Sequence, residues 1–305
     1  MRQSIRGYTD GIIEEAAAAG EIRRTADELR AVWDLLWSSD DLRRTLADPG
    51  VSASSRRAVV SELLSERVGS YTLRLIQFVV EADRATEVVA DIDWLTTRLN
   101  AAADNLQPVG EVVLGHKAAE ERLDGYATAL LQVLPSDGGL TQIEEELFRF
   151  MQVLDGTEAL RTVLSSRDVP ADARKRLVED LLSAKATPTT QRLASYATHV
   201  GRPRDYEDLL AFLVDRLSRE SHKRMAEVRS AIDLDEDRQQ ELASALRRVV
   251  GYDVQLRVSV DPSILGGFVA TIGDTVVDAS VRHQLEVLRD RLVMPEANIT
   301  LGDSS

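Results

Sequence analysis

Asp274 and Asp278 are the closest this 305-residue sequence comes to a pair of working carboxylates. Two acids can divide the work of general acid and base, or share a divalent cation, when a histidine or a third acid converges on them. These two flank a short strand between turns and have no such neighbour in sequence, so turn capping is the better reading. Gly266-Gly267 lacks the following Gly-Lys-Ser/Thr of a phosphate cradle and reads as a tight fold between short elements. His116, His199, His222 and His283 are scattered, and none forms His-x-x-x-His. No Gly-x-Ser-x-Gly presents a serine nucleophile. The absence of cysteine removes thiol catalysis, disulfides and thiolate metal sites. The reading is of a chain with no catalytic centre, no cofactor and no metal.

The elements that would have to hold a site have a more definite pattern. The chain repeats itself at an offset of 118 residues. Leu42-Arg43 matches Leu160-Arg161, Val51 matches Val169, Arg56 matches Arg174, and Leu63-Leu64-Ser65 matches Leu181-Leu182-Ser183. Ten of the 24 positions from Leu42 to Ser65 are identical without a gap. The register extends to Gly7-Tyr8 with Gly125-Tyr126, and to Arg74, Arg84 and Arg98 with Arg192, Arg202 and Arg216. A unit repeated at this length is a structural module before it is a chemical one. The expected domains are 1–105, 106–222 and 223–305.

Copy one reads as helices over Ser4–Ala19, ended by Gly20, then Thr25–Trp37, Asp40–Leu46, Ser52–Leu64, Tyr71–Ala82 and Glu87–Asn100. Thr25 with Glu28 reads as a capping box. In copy two, helices are expected over Leu123–Leu134, Thr141–Leu154, from Pro170, over Thr187–Val200 and from Asp205 to His222. Ala101–Glu121, with a charged run from His116, reads as a linker into the next helix. The tail changes period. Val254, Leu256, Val258 and Val260 alternate on one face, and the order is strand–helix–strand–strand–strand–helix. Asp233 or Asp235 caps the first tail helix, and Ser280 caps the last over Val281–Leu292. The fold class is multidomain α plus α/β: two tandem six-helix-type bundles followed by a small α/β domain.

A formal charge of −14, from 37 basic and 51 acidic residues, opposes nucleic acid and anionic membrane surfaces as partners. No stretch approaches 18 apolar residues, so direct membrane insertion is not expected. Trp37, at a helix end, is a candidate for a partner interface.

The segment from Val258 to Arg282 reads as a hydrophobic strand, Asp261-Pro262, Leu265-Gly266-Gly267, a second strand, Gly273-Asp274, and Asp278-Ala279-Ser280. A helix with Leu285, Leu288 and Leu292 continues it. This resembles the C-terminal signature of the delta subunit family of F-type ATP synthase, which includes the mitochondrial oligomycin-sensitivity-conferring protein. Ala279 stands where that family usually has glycine. Copy two keeps the family's Tyr-Ala-x-Ala-Leu opening as Tyr126-Ala127-Thr128-Ala129-Leu130, and copy one has Tyr8-Thr9-Asp10-Gly11-Ile12. The family's Asn-Gly-Arg is reduced to Ala82-Asp83-Arg84 and Val200-Gly201-Arg202. A second helical copy resembles the enlarged actinobacterial form, in some organisms the delta part of a b-delta fusion.

The resemblance implies a non-catalytic stator subunit that resists rotor torque during ATP synthesis. Its implied partners are the N-termini of F1 alpha subunits, b-type peripheral-stalk helices and other ATP synthase subunits. Its implied place is the cytoplasmic face of the bacterial cell membrane, peripheral through the complex. An F1-alpha groove is implied between the first and fifth helices of a copy. The candidates are Tyr8, Ile12, Leu75 and Phe78 in copy one, and Tyr126, Leu130, Leu193 and Tyr196 in copy two. Duplication supplies either two alpha sites, or one alpha site and one stalk-bracing surface. Asp261, Pro262, Leu265, Gly266, Gly267, Gly273, Asp274, Asp278 and Ser280 are implied to be structural. The alternative is a helical interaction scaffold unrelated to ATP synthase, which leaves the tail signature unexplained.

Overall fold

Ile5, Tyr8, Ile12 and Ala16 recur every three or four residues, and all four side chains are buried along one stripe of α1 (Gln3–Ala18). The computed structural model describes residues 2–106, 113–134, 139–250, 254–272 and 275–281. After α1 come α2 (Ile22–Ser38), α3 (Asp40–Ala47), α4 (Ala53–Leu64), α5 (Ser70–Ala82), a 3₁₀ turn (Ala85–Glu87) and α6 (Val88–Ala103). Then follow α7 (His116–Leu131), α8 (Gly139–Asp155), α9 (Glu158–Ser165), α10 (Ala171–Leu182), α11 (Pro188–Val200), a 3₁₀ turn (Pro203–Asp205) and α12 (Tyr206–Arg224). Adding 118 to the bounds of α3, α4, α5 and the first 3₁₀ turn gives those of α9, α10, α11 and the second.

The described residues of 2–134 and 139–217 form one compact unit and those from 218 onward a second. Two apolar clusters fill the first unit. One is centred on Ile5, Tyr8, Leu29, Leu75, Ile76 and Ile92, and it also takes Ala129 from α7. The other is centred on Tyr126, Leu147, Phe150, Leu193, Leu209 and Leu213.

Local chemistry sets the helix ends. Gly20, at φ +72°, follows α1 in the left-handed conformation that lets the chain turn at once. The Ser52 hydroxyl accepts from the Ser55 N–H at 3.1 Å, and the Thr187 hydroxyl from the Thr190 N–H at 3.3 Å. Pro170 precedes α10, where a missing N–H costs nothing.

In the second unit, β1 (Met225–Ser230) is followed by α13 (Glu236–Val250), β2 (Gln255–Val260), β3 (Phe268–Ile272) and β4 (Thr275–Asp278). The sheet order is β2-β1-β3-β4. β1 and β2 are parallel, as a helical crossover requires, whereas β1–β3 and β3–β4 are antiparallel. Val228 sits between Val258 and Ala270 in register. Its core also holds Ala226, Leu242, Leu246 and Ile272. Asp235 is the residue that caps α13, through the Arg238 N–H at 2.9 Å.

Several expectations shift. Thr25 is no capping residue: α2 begins at Ile22, and the Thr25 hydroxyl donates back to the Glu21 carbonyl at 2.9 Å. The run from His116 belongs to α7, because Ala119 and Leu123 supply the buried stripe of its first turns. The connection between α6 and α7 is correspondingly shorter than Ala101–Glu121. In α4 it is Val60 and Leu64 that are buried, with Val59 and Leu63 half-buried. Val260 ends β2 exposed, while Val254, Leu256 and Val258 pack partly against the sheet core. Beyond Val281 the expected last helix lies outside the described residues.

Candidate functional site

Tyr8 and Tyr126 open the two sets of helices, and each stacks on an aromatic of the corresponding fifth helix. Tyr8 lies on Phe78 with ring centres 3.9 Å apart and planes 3° from parallel. Tyr126 lies on Tyr196 at 3.8 Å and 1°. Ile12 and Leu75 complete the first cluster, and Leu130 and Leu193 the second. Seven of these eight residues are buried, and Phe78 is half-buried. The two clusters are brought together because α1 and α7 pack directly on each other.

That crossing is close. A Cβ at Gly7 would stand 1.7 Å from the Arg122 carbonyl oxygen, and one at Gly125 1.9 Å from that of Ser4. Only glycine permits two helix backbones to approach so far. The flanking polar groups cross between the helices. The Tyr8 hydroxyl donates to Gln132 Oε1 at 2.6 Å, and the Tyr126 hydroxyl to Glu14 Oε2 at 2.5 Å. Arg74 donates to Gln132 and to the Ala129 carbonyl. Arg192 bridges Glu14 and Glu15. Asp10 receives Arg122 at 2.8 Å, the Tyr196 hydroxyl at 2.7 Å and Arg98 at 3.4 Å.

Electrostatics keep this face neutral where it is aromatic. Burial, reinforced by Glu14, pushes the Tyr126 hydroxyl well above the ordinary tyrosine range. Burial and Asp10 do the same for Tyr196. Burial also raises Tyr8, with Arg74 opposing it. Arg122 loses solvation on burial, yet Tyr196 and Asp10 hold its proton more tightly than usual. These tyrosines act as hydrogen-bond donors and packing surfaces; none is poised to move a proton at neutral pH.

In the tail, the signature residues hold a turn. The Asp261 carboxylate accepts from the Ser263 N–H at 2.9 Å and its hydroxyl at 2.6 Å, bonds that lower its pKa. Pro262 follows it into this turn. Gly267 has φ +79°, and a Cβ there would lie 2.3 Å from the Ala279 carbonyl oxygen. Gly266 accepts from the Val281 N–H at 2.9 Å, and a Cβ on it would meet the Val281 side chain. Asp278 Oδ1 accepts from the Ser280 N–H at 2.9 Å, a turn-capping bond. Leu265 is 78% exposed. Gly273 and Asp274 lie outside the described residues.

Two features escaped sequence reasoning. Asp83, Glu87 and Asp91 place one carboxylate oxygen each within 4.8 Å of one another, the one carboxylate group among the described residues within metal-ligand reach. Burial and the neighbouring Asp83 push Asp91 up to about 7. Burial works to raise Asp83 as well, but bonds from Asp91 and the Arg84 N–H, with Arg2 nearby, leave it lowered. Asp83 is therefore the first of the two to ionise and Asp91 the second. The second feature is Glu28, which reaches across to the start of α5, as Glu146 does to α11. The repeat carried that signal, since Glu28 and Thr72 recur as Glu146 and Thr190. Trp37 is 57% exposed, set edge-on to Trp33 and under Arg43.

The family model for the ATP synthase delta (OSCP) subunit matches residues 5–109 and 124–292. ATP synthase subunit delta of Salinispora arenicola is 34% identical over 285 residues, covering 93% of this chain and 92% of that protein. The Frankia alni subunit is 31% identical over 278 residues, 91% of this chain and 90% of that one. The Streptomyces griseus subunit is 30% identical over 292 residues, 95% of each.

Proposed function

Because the chain belongs to the ATP synthase delta (OSCP) subunit family, we propose that it is a peripheral-stalk connector that holds F1 against rotor torque. Subunits of this family are not catalytic, and the chain is not itself an enzyme. The observation that carries the reading is the extent of the match, which takes in both helical sets and the strand-containing tail.

At finer grain, residues 1–105 and 106–222 are two tandem copies of one six-helix module, and 223–305 is the stalk-binding domain. The common bounds of α3 and α9, α4 and α10, and α5 and α11 support the duplication. The F1 alpha N-termini and the b-type stalk helices are the partners. Of the expected groove residues, Tyr8, Ile12, Leu75, Tyr126, Leu130, Leu193 and Tyr196 are buried beside the contact of α1 with α7 and act as its framework, so half-buried Phe78 is the one offered as a direct contact to the F1 alpha N-terminus. Among the described residues no helix is long and apolar enough to cross a membrane. Attachment at the cytoplasmic face of the cell membrane runs through the complex.

The test is to mix the full chain with cognate F1, and separately with a peptide of the alpha N-terminus and one of the b stalk. Binding to F1 that is lost when the alpha N-terminal segment is removed is the expected result. Failure to bind F1 and both peptides, at low and at moderate salt, overturns the reading.

A further inference from the structure

We propose that the α1–α7 crossing is a stiff joint, keyed to pair copy one with copy two, that fixes their spacing and carries load between them. The load-bearing clause rests on the stator reading; the joint itself does not. The contact is reciprocal at the repeat offset. Gly7 against Arg122 corresponds to Gly125 against Ser4, Tyr8 with Gln132 to Tyr126 with Glu14, and Arg74 with Gln132 to Arg192 with Glu14. Each copy therefore offers the same patch and receives the same patch, the arrangement of a twofold homodimer built within one chain. With no side chain between the backbones at the crossing, the helices have little room to roll or slide.

One cluster breaks the symmetry. Asp10, Arg122 and Tyr196 correspond to Thr128, Ser4 and Phe78. The side chains of Asp10 and Arg122 are 11% and 18% exposed, so an Asp10 facing a second copy one would be left largely buried with only the longer 3.4 Å contact to Arg98, without Arg122 or the Tyr196 hydroxyl. Removing one partner of such a pair costs more than the pair contributes. The unlike pairing, copy one on copy two, is thereby favoured over like pairing between chains.

The experiment uses the full chain, whose lack of cysteine permits clean labelling. Spin labels go on Ala58→Cys and Arg176→Cys, exposed and equivalent positions of α4 and α10. Double electron–electron resonance of the parent is expected to give one narrow distance. Gly7→Ala and Gly125→Ala are each expected to broaden it, with helicity retained. Arg122→Ser/Tyr196→Phe installs copy-one residues without added bulk, and carries the same test should the glycine variants fail to fold. A parent distribution already broad, or one unchanged in all these variants, overturns the joint. Load is read separately, as proton pumping per ATP hydrolysed in the assembled synthase. A loosened joint in a variant that still attaches to F1 as the parent does is expected to lower it, and a variant that has lost attachment is not scored for load. Unchanged pumping with a broadened distance overturns load-bearing alone, while a parent chain that does not attach to F1 marks failure of the stator reading instead.

Discussion

Glu28 and Glu146 stand 118 residues apart and close the starts of α5 and α11 with the same bonds. Glu28 Oε2 accepts from the Gly69 N–H at 2.8 Å and the Thr72 hydroxyl at 2.7 Å. Glu146 Oε2 accepts from the Thr187 N–H at 2.8 Å and the Thr190 hydroxyl at 2.6 Å. In each case a carboxylate from the second helix of a set satisfies an orphan donor of the fifth and faces its positive end.

Burial tends to raise both acids, but these bonds prevail and each pKa is lowered. A lowered acid stabilises the fold above its unfolded pKa, and that contribution is lost as pH falls through the folded value. Glu28→Gln and Glu146→Gln are each expected to cost about 1–2 kcal/mol at pH 7. The difference from the parent should shrink on acidification below pH 4, as read by urea unfolding. A constant difference at all pH values would place the effect elsewhere.

Arg56 donates to the carbonyls of Val51 at 2.7 Å and Val80 at 3.0 Å, and Arg174 to those of Val169 at 2.5 Å and Thr198 at 3.0 Å. Each guanidinium ties the chain before one helix to the end of another. Replacement by alanine leaves both carbonyls without that donor and is expected to cost about 2–4 kcal/mol. Lysine should not restore the loss, since a point ammonium cannot reproduce the fork. Thermal unfolding of the four single variants decides it.

Asp91 titrates in the opposite sense. Its folded pKa of about 7 lies above that of a free aspartate, so its contribution is full below about pH 4 and is lost as pH rises through 7. Asp83, lowered, contributes in reverse and at more acid pH. Between pH 5 and 8 the Asp91 loss governs. Asp91→Asn, which can donate permanently to Asp83, is expected to be nearly level with the parent at pH 5 and about 1–2 kcal/mol more stable at pH 8. Denaturant midpoints across that range check it, and a parent whose stability is flat from pH 5 to 8 refutes it.

Gly20 and Gly267 both have positive φ, yet only Gly267 is also pinched against backbone. Gly20→Ala should cost about 1 kcal/mol, the conformational penalty alone. Gly267→Ala adds the collision with Ala279 and is expected to raise hydrogen exchange at β3 and β4, while α1 to α11 exchange as in the parent. Equal, small effects of both changes would show that the tail turn can relax.

The same contrast explains what the sequence could disclose. Gly20, Ser52 and Pro170 act on their immediate neighbours, so their roles are readable from spacing alone. Glu28 follows Thr25 at capping-box distance, and that local pattern concealed its real partners some forty residues on. The early turns of α7 resembled a charged linker because their buried stripe is supplied by Ala119 before Leu123 appears. Tyr8 and Tyr126 announce themselves as aromatics at repeated positions. That their helices meet could not be read from either copy, because the apolar stripe of a surface helix does not say what covers it. Asp83 and Asp91 belong to the end of one helix and the first turn of another, and only the 3₁₀ turn between them brings the carboxyls face to face.

The crossing of α1 with α7 also imposes an order of events on synthesis. Helix α1 leaves the ribosome well before its partner α7, which is completed only at Leu131. At roughly 5–20 residues per second, the wait is on the order of ten seconds. Throughout it, the nascent chain carries the Gly7 side of α1 without its cover, next to stacked aromatics already made. Chains that stop before His116 would never make α7 and would keep that face of α1 uncovered.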